Sequence, residues 1–329
     1  MSTNLKKLSQ QLRNFPTPVA GLALGIASIG IILDAVLIMG GVVQTLTAII
    51  AGLLLSLLSV RFVLHPGTLL NDLKHPVVGS VAPTFAMGLM LVSNAIIQHH
   101  HEQIGHALWL AAVILHAGFL VTFVYHRLLQ FEWEHMVPSW FVPPVGIVVA
   151  AVSYHGESFG LLYTIAELCL YFGLVCYAIM LPLMFYRLIF KENIQPGAQP
   201  TIAILAAPAS LSIAGYLSLI ENPYALVILV LFGIAVLMTF IVYIAFAQLL
   251  LLPFTPGYAA FTFPMAIGAT ALFKTADQLA SWNVNPEVIY QVLILAKIEL
   301  ALATLVISYV TLRFVIHFAK PKNDILSTN

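Results

Sequence analysis

Ten long runs of apolar residues, separated by short polar breaks, follow one another along this chain. A bilayer core about 30 Å thick requires about 20 apolar residues per helix, so each run is long enough for roughly one crossing. The sequence therefore predicts an all-α integral membrane protein with ten transmembrane helices, numbered here in chain order as spans 1 to 10. The runs lie near residues 18–39, 42–64, 76–98, 104–129, 137–154, 158–189, 200–220, 223–251, 257–280 and 286–318.

The composition agrees with a membrane location. Of the 329 residues, 61% are hydrophobic and only 8% are charged, whereas soluble domains carry about 25% charged residues. The zero formal net charge gives no reason to expect a nucleic-acid partner. The chain also lacks the common hydrolase, metalloprotease, redox and phosphate-loop motifs. We therefore expect the lipid bilayer as a partner, no enzymatic activity and no cofactor. A solvated loop is favoured over a metal site for His99–His101.

The basic residues predict the orientation in the membrane. Of the 13 lysines and arginines, eleven lie near the termini or after even-numbered spans, and none lies in a loop after an odd-numbered span. The positive-inside rule then places both termini in the cytoplasm. The membrane is expected to be a bacterial inner or plasma membrane. We expect a cytoplasmic segment at 1–17, a ten-helix domain at 18–318 and a cytoplasmic tail at 319–329. The eleven residues are Lys6, Lys7, Arg13, Arg61, Lys74, Arg127, Arg187, Lys191, Arg313, Lys320 and Lys322.

Prolines recur at the start of the odd-numbered spans. Pro16, Pro76, Pro138, Pro200 and Pro256 stand near the starts of spans 1, 3, 5, 7 and 9, so the chain is divided into five helical hairpins. Spans 3, 5, 7 and 9 carry further prolines a few residues later, at Pro83, Pro143, Pro144, Pro208 and Pro264. A broken helix is tolerated in a membrane only where protein or a water-filled cavity satisfies its backbone. We therefore expect a quasi-fivefold arrangement in which odd helices line a central pore. The alternative is the general enrichment of proline in membrane helices.

Several of these segments resemble one membrane protein family. They are "FPTPVAGLALG", "HPVVGSVAP", "PTIAILAAPASLSIAGYLS" and "YAAFTFPMAIGATA", and they resemble the tellurite-resistance/dicarboxylate transporter family, which includes plant slow-type anion channels. The resemblance extends over about residues 15–318. It implies ten helices in a quasi-fivefold arrangement, a homotrimer, and conduction or transport of anions.

The same resemblance assigns a gate. In this family a phenylalanine of span 9 closes the pore, and the segment from Ala260 to Pro264 places that role on Phe263, with Phe261 at the preceding aromatic position. An apolar ring across a narrow pore can gate by excluding water. The alternative is that Phe263 is an ordinary core aromatic.

The other expected pore-lining or kink residues are small, hydroxyl-bearing or proline. Because strong fixed charge would trap an anion, backbone N–H groups at the helix breaks are a better source of positive potential. For each hydroxyl, a bond back to its own helix is the alternative. These residues are Gly25, Pro83, Thr84, Pro143, Pro144, Pro208, Ser210, Phe261, Thr262 and Pro264.

Three ionisable residues lie deep in predicted outer helices. Lys297 lies about 18 Å into span 10, with Glu299 two residues further along, and Glu167 lies within span 6. Because a charge at such depth is costly, we expect Lys297 and Glu167 to form a buried ion pair. A role for these residues in coupling to protons or substrate is the alternative.

Two functions follow. The first is a channel that passes small anions such as chloride or nitrate through a pore gated by Phe263. The second is a proton-coupled permease for a C4-dicarboxylate such as malate, or for a tellurite-like oxyanion. The odd spans carry no pair of arginines for two carboxylates, which favours small monovalent anions.

Overall fold

The computed structural model describes residue 10 and residues 12–319, and in these residues the protein is helical with no β-strand. Eight of the described helices are long and apolar enough to cross a membrane. The chain is therefore a multi-pass helical membrane protein, as the sequence predicted. The eight are Val19–Leu37, Val42–Leu64, Val78–Gln98, Glu102–Leu129, Leu161–Phe190, Pro196–Leu219, Ala225–Leu249 and Pro286–Ala319, which correspond to spans 1, 2, 3, 4, 6, 7, 8 and 10. The predicted tail at 319–329 lies outside the described residues except for Ala319, as does most of the predicted segment at 1–17.

Spans 5 and 9 are built from shorter pieces. Span 5 consists of a 3₁₀ turn Pro138–Phe141, an α-turn Val142–Val145, a 3₁₀ turn Gly146–Val148 and an α-turn Val149–Ser153. Span 9 is a 3₁₀ helix Pro256–Phe261 followed by an α-helix Phe263–Ser281. Ten crossings therefore stay a prediction.

Spans 3 and 7 are interrupted in the same way. Span 3 has a short helix Val78–Val81 followed by Thr84–Gln98, and span 7 has a 3₁₀ helix Pro196–Ala206 followed by Ala207–Leu219. Pro208 and Pro264 lie in the first turn of their α-helices, and Pro83 immediately precedes Thr84. Proline costs little there because its missing N–H would have no helical partner. These prolines therefore mark where the α-helix begins.

Burial alternates along the chain. In the most apolar stretch of spans 1, 3 and 7, 72%, 72% and 83% of residues are buried, whereas in spans 2, 4, 6, 8 and 10 the share is 28–33%. A helix that exposes most of its apolar surface within a membrane faces lipid. The even spans are therefore much more exposed than spans 1, 3 and 7.

Arginines near the ends of spans 2, 4 and 6 bind the segments that precede spans 1, 3 and 7. Arg61 donates to Thr17 Oγ1 at 2.7 Å and pairs with Asp72 at 2.8 Å. Arg127 donates to the carbonyl of Lys74 at 2.6 Å, and Arg187 to that of Glu192 at 2.6 Å. These arginines, which the sequence marked only as indicators of orientation, also position the beginnings of the odd spans.

The remaining helices are short connections. Pro66–Lys74 joins spans 2 and 3, and the 3₁₀ turn Trp133–His135 joins spans 4 and 5.

Candidate functional site

A central apolar cavity of about 100 Å³ is the main candidate for a functional site. All five odd spans contribute to it through residues in or just before their first halves, and none of the described residues that line it is ionisable. The cavity is thus an apolar chamber bounded by the five segments that carry the recurrent prolines. The lining includes Pro18, Gly21 and Leu24 of the span 1 region, Val81, Thr84 and Met87 of span 3, Val142, Val145 and Gly146 of span 5, Ile204, Pro208 and Leu211 of span 7, and Ala260, Phe263 and Pro264 of span 9.

Phe263 is the bulky side chain at the break in span 9. It lines the cavity and is 7% exposed. The residue that precedes the second proline is Ala82 in span 3 and Ala207 in span 7. A large ring therefore occupies in span 9 a position that is small in the other two.

Phe261 has a different position. It is fully buried and does not line the cavity. Its ring packs against Phe246 of span 8 and Tyr258, with centroid distances of 5.4 and 4.8 Å. The two phenylalanines therefore lie on different faces, and Phe261 is a packing residue between spans 8 and 9.

Thr262 and Gly25 lie behind the cavity, at the contact between spans 9 and 1. Thr262 Oγ1 donates to the carbonyls of Ala259 at 2.7 Å and Gly21 at 3.1 Å. A Cβ added to Gly25 would lie 2.5 Å from Thr262 Cβ. Gly25 thus permits the close approach of span 1 to the segment that carries Phe263.

The remaining predicted lining residues divide into three groups. Thr84 and Pro208 line the cavity together with Pro264, whereas Pro83, Pro143 and Pro144 do not. Ser210 lines a second cavity instead. The hydroxyls of Thr84 and Ser210 donate to the carbonyls of Val81 and Ala206 in their own spans, as the alternative prediction stated.

Three α-helices begin at the wall of the cavity. Their first residues are Thr84, Ala207 and Phe263, all of which line it, and none of these helices has an acidic residue in its first turn. The N-terminus of an α-helix carries a partial positive charge. These helix starts are therefore the candidate sources of positive potential at a chamber whose described lining contains no cation, although the N–H of Ala207 already donates to the Ile204 carbonyl.

Comparison with known proteins agrees with this geometry. A family model described as "Voltage-dependent anion channel" matches residues 14–315. The chain belongs to this anion channel family. Two relatives from Methanocaldococcus jannaschii, both named as uncharacterized transporters, are each 24% identical to it, over 228 and 231 residues. The matched regions cover 63% and 62% of this chain, and 67% and 65% of the two relatives.

The structure does not contain the predicted ion pair between Lys297 and Glu167, both of which it describes. Neither residue is part of the ion pair Arg61–Asp72 or of the contact between His135 and Glu132. Lys297 is exposed on span 10, and Glu167 is half-buried on span 6. Lys297 lies eleven residues beyond Pro286, about 16 Å along its helix, whereas Glu167 lies six residues beyond Leu161, about 9 Å along. The two side chains therefore differ in depth if their helices begin at the same membrane face.

Glu299 is the deeply buried ionisable residue of span 10. Its side chain is 2% exposed, and Oε2 accepts a hydrogen bond from the Tyr243 hydroxyl of span 8. Oε1 has no hydrogen-bond partner among the described residues. Glu299 was predicted from the sequence as a deep ionisable residue. Tyr243 was not, because it is an isolated tyrosine within an apolar run.

His116 of span 4 supports the break in span 5. It is fully buried, and its Nε2 lies 2.8 Å from the carbonyl oxygen of Pro143. Since a carbonyl only accepts hydrogen bonds, Nε2 carries the proton. An outer helix thus satisfies a carbonyl beside the paired prolines, a role that the sequence did not suggest.

Proposed function

We propose that this protein conducts small anions such as chloride or nitrate across a membrane, through a central pore that Phe263 closes. The observation that carries the proposal is the position of Phe263 in the apolar cavity formed by spans 1, 3, 5, 7 and 9. Membership in the voltage-dependent anion channel family supports the ion class.

The proposed architecture is the one expected from the proline repeat. Ten crossings form five hairpins in a quasi-fivefold arrangement over residues 18–318, with the odd spans around the pore. The lower burial of the even spans and the contribution of every odd span to one cavity support this arrangement. We further propose a homotrimer in the bacterial inner or plasma membrane with both termini in the cytoplasm, as the family resemblance and the basic residues suggest.

The chemistry of the cavity explains how such a pore would treat an anion. Helix N-termini at Thr84, Ala207 and Phe263 attract negative charge. Because no fixed cation lines the described wall, an anion is not held so strongly that it cannot leave. A phenyl ring across the path denies the ion its hydration water, so the closed state is an apolar barrier. Selectivity and gating therefore depend on different groups.

Replacement of the gate ring tests the proposal. We expect Phe263→Ala to raise chloride and nitrate current by about tenfold or more, since tenfold corresponds to removal of about 1.4 kcal/mol of barrier. The preference for anions over cations should not change, because the helix N-termini remain. Currents would be recorded from purified protein in planar bilayers at matched protein density.

Phe261→Ala is the matched control, because it removes an identical ring two residues away that packs against Phe246 and Tyr258. We expect a much smaller change in current. Equal currents for Phe263→Ala and the wild type, or a larger effect of Phe261→Ala, would show that Phe263 is not the gate.

A second candidate function is a proton-coupled permease for a C4-dicarboxylate such as malate or a tellurite-like oxyanion. The buried carboxyl group of Glu299 favours it, because a group of this kind is able to carry a proton within the membrane. Electrical recording separates the two functions, since a channel passes far more ions per protein than a transporter turns over.

A further inference from the structure

We propose that Glu299 and Tyr243 form a proton-binding site behind span 9, and that its occupancy controls passage through the central pathway. The proposal rests on the proposed function for its effect on anions. The binding of the proton itself is a separate property and can be measured without transport.

The site has a cavity of its own. A second cavity of about 130 Å³ lies between spans 7, 8, 9 and 10, and Ser210, Tyr243, Gly268 and Glu299 contribute to its wall. Most of the other lining residues are apolar. The volume is sufficient for a water molecule beside the polar groups of Glu299 and Tyr243, although the Glu299 side chain is only 2% exposed.

The contacts of the carboxyl group favour a change of protonation state. An ionised carboxylate has about four lone-pair positions to satisfy, yet Glu299 receives one hydrogen bond, and Oε1 has no partner among the described residues. A buried charge without a counterion costs several kcal/mol. The bond to Tyr243 is compatible with both states, because the phenol donates to the carboxylate and a protonated carboxyl can donate to the phenol oxygen.

Few charged or titratable groups face this site. Tyr243 and Glu299 are the titratable residues among those that line the cavity. Span 9 carries Lys274 and Asp277, but neither lines it, and Lys297 is exposed on span 10. Span 1 also packs against span 10, and its Asp34 accepts hydrogen bonds from the backbone N–H groups of Gly41 and Gln44, where span 2 begins. The charge of Glu299 is therefore the main electrostatic variable at this cavity.

Span 9 connects the site to the gate. A Cβ added to Gly268 would lie 2.9 Å from Glu299 Oε1, so the carboxyl group lies close to the backbone of the helix that begins at Phe263. Phe263 and Pro264 line the central cavity, whereas Gly268, Ala271 and Leu272 line the second one. A change in the charge of Glu299 thus changes the electrostatic force on the helix Phe263–Ser281, which begins at the proposed gate residue Phe263.

Infrared difference spectroscopy of the full-length protein in liposomes tests proton binding directly. Between acidic and alkaline buffer, we expect a protonated-carboxyl band that is present in the wild type and absent in Glu299→Gln. Tyr243→Phe keeps the ring but removes the donor to the carboxylate. It should move the pH midpoint of the band upward by about one to two pH units, since a hydrogen bond to a charged group has that strength. A spectrum unchanged by Glu299→Gln would overturn the proton site.

Chloride flux into the same liposomes, measured across the same pH range, tests the connection to the gate. We expect a pH-dependent flux in the wild type and a flat profile in Glu299→Gln. Glu287→Gln, an exposed acid on the same span, is the matched control and should retain the wild-type profile. The same profile in Glu299→Gln and the wild type would overturn the control of the pathway. Absence of anion flux in the wild type would instead contradict the proposed function, and the infrared result would still decide whether the site binds a proton.

Discussion

Gly25 is a position where a single methyl group has a large expected effect. An added Cβ would lie 2.5 Å from Thr262 Cβ and 3.1 Å from the backbone nitrogen of Phe263, so spans 1 and 9 would have to separate. We expect Gly25→Ala to destabilise the protein by about 1–3 kcal/mol, the usual range for overpacking. The melting temperature of the purified protein in detergent measures this change.

Gly52→Ala is the control for this substitution. Gly52 lies within span 2, and an added Cβ there has nothing within 4 Å, so the melting temperature should stay the same or rise. Thr262→Gly, combined with Gly25→Ala, removes the side chain that the new methyl group meets and should recover part of the loss. Equal effects of the two glycine substitutions would show that the contact between Gly25 and Thr262 is not tight.

His75 is a residue with a predicted effect of pH. Its Nδ1 accepts the backbone N–H groups of Val77 and Val78, each at 3.2 Å, and so caps the start of span 3. Partial burial lowers the pKa of His75 below its ordinary value of 6.5, and the positive charge of Arg127 acts in the same direction, against Asp72. The neutral ring is favoured in the folded state, so its contribution to stability is present above pH 6.5 and is lost as the pH falls through the lower folded pKa.

We therefore expect the melting temperature of the wild type to fall between about pH 7.5 and about pH 5.5, on either side of the ordinary histidine pKa. His75→Asn keeps a side-chain acceptor suited to a helix start but does not titrate, so its fall over this range should be smaller. Identical falls in the two proteins would argue against the role of His75.

At the scale of elements, span 4 stabilises the irregular backbone of span 5 through His116. His116→Leu leaves the buried carbonyl of Pro143 without its donor, and an unsatisfied buried group costs about 1–3 kcal/mol. We expect a lower melting temperature for His116→Leu and partial recovery in His116→Gln, whose amide can donate. Equal stability of His116→Leu and the wild type would show that another group satisfies this carbonyl.

The breaks in the odd spans were predictable from the sequence because proline acts on its own backbone. Span 3 is interrupted at Pro83, and spans 7 and 9 change from a 3₁₀ to an α-helix next to Pro208 and Pro264, in line with the fixed φ and missing N–H of proline. The side chains that support the breaks were not predictable. His116 meets Pro143 and Tyr243 meets Glu299 across 27 and 56 residues of sequence, and such pairs are set by the packing of helices rather than by local pattern.

The predicted pair between Lys297 and Glu167 failed because the depth of each residue in its helix was uncertain. Depth along a predicted helix depends on where that helix begins, and sequence periodicity fixes such boundaries only to within a few residues. Glu299, in contrast, was identified as deep in the membrane from its position in span 10, and the structure places it among the buried residues.

At the scale of the whole molecule, exposed Lys297 bears on the proposed homotrimer. A lysine this far along a membrane helix is costly against lipid, so we expect it to lie at a subunit contact. The wild type in detergent should have a mass of three chains of 35.8 kDa. Lys297→Glu should shift the protein toward smaller species, which native mass spectrometry detects.

Lys191→Glu is the control for charge reversal, since Lys191 lies in the exposed connection after span 6. It should leave the assembly unchanged. A wild-type protein with the mass of one chain would contradict the trimer, and an intact trimer in Lys297→Glu would place that lysine outside the contact.

The 3₁₀ helix Pro196–Ala206 of span 7 is longer than an α-helix of the same number of residues would be. Eleven residues at about 2.0 Å each extend about 22 Å, whereas the same residues in an α-helix would extend about 16 Å. Conversion of this segment to an α-helix would shorten it by about 5.5 Å, so at least one of its ends would move relative to the neighbouring spans. The part of the cavity wall formed by Pro200, Thr201 and Ile204 is therefore able to shorten by exchanging its hydrogen bonds, without leaving the helical state.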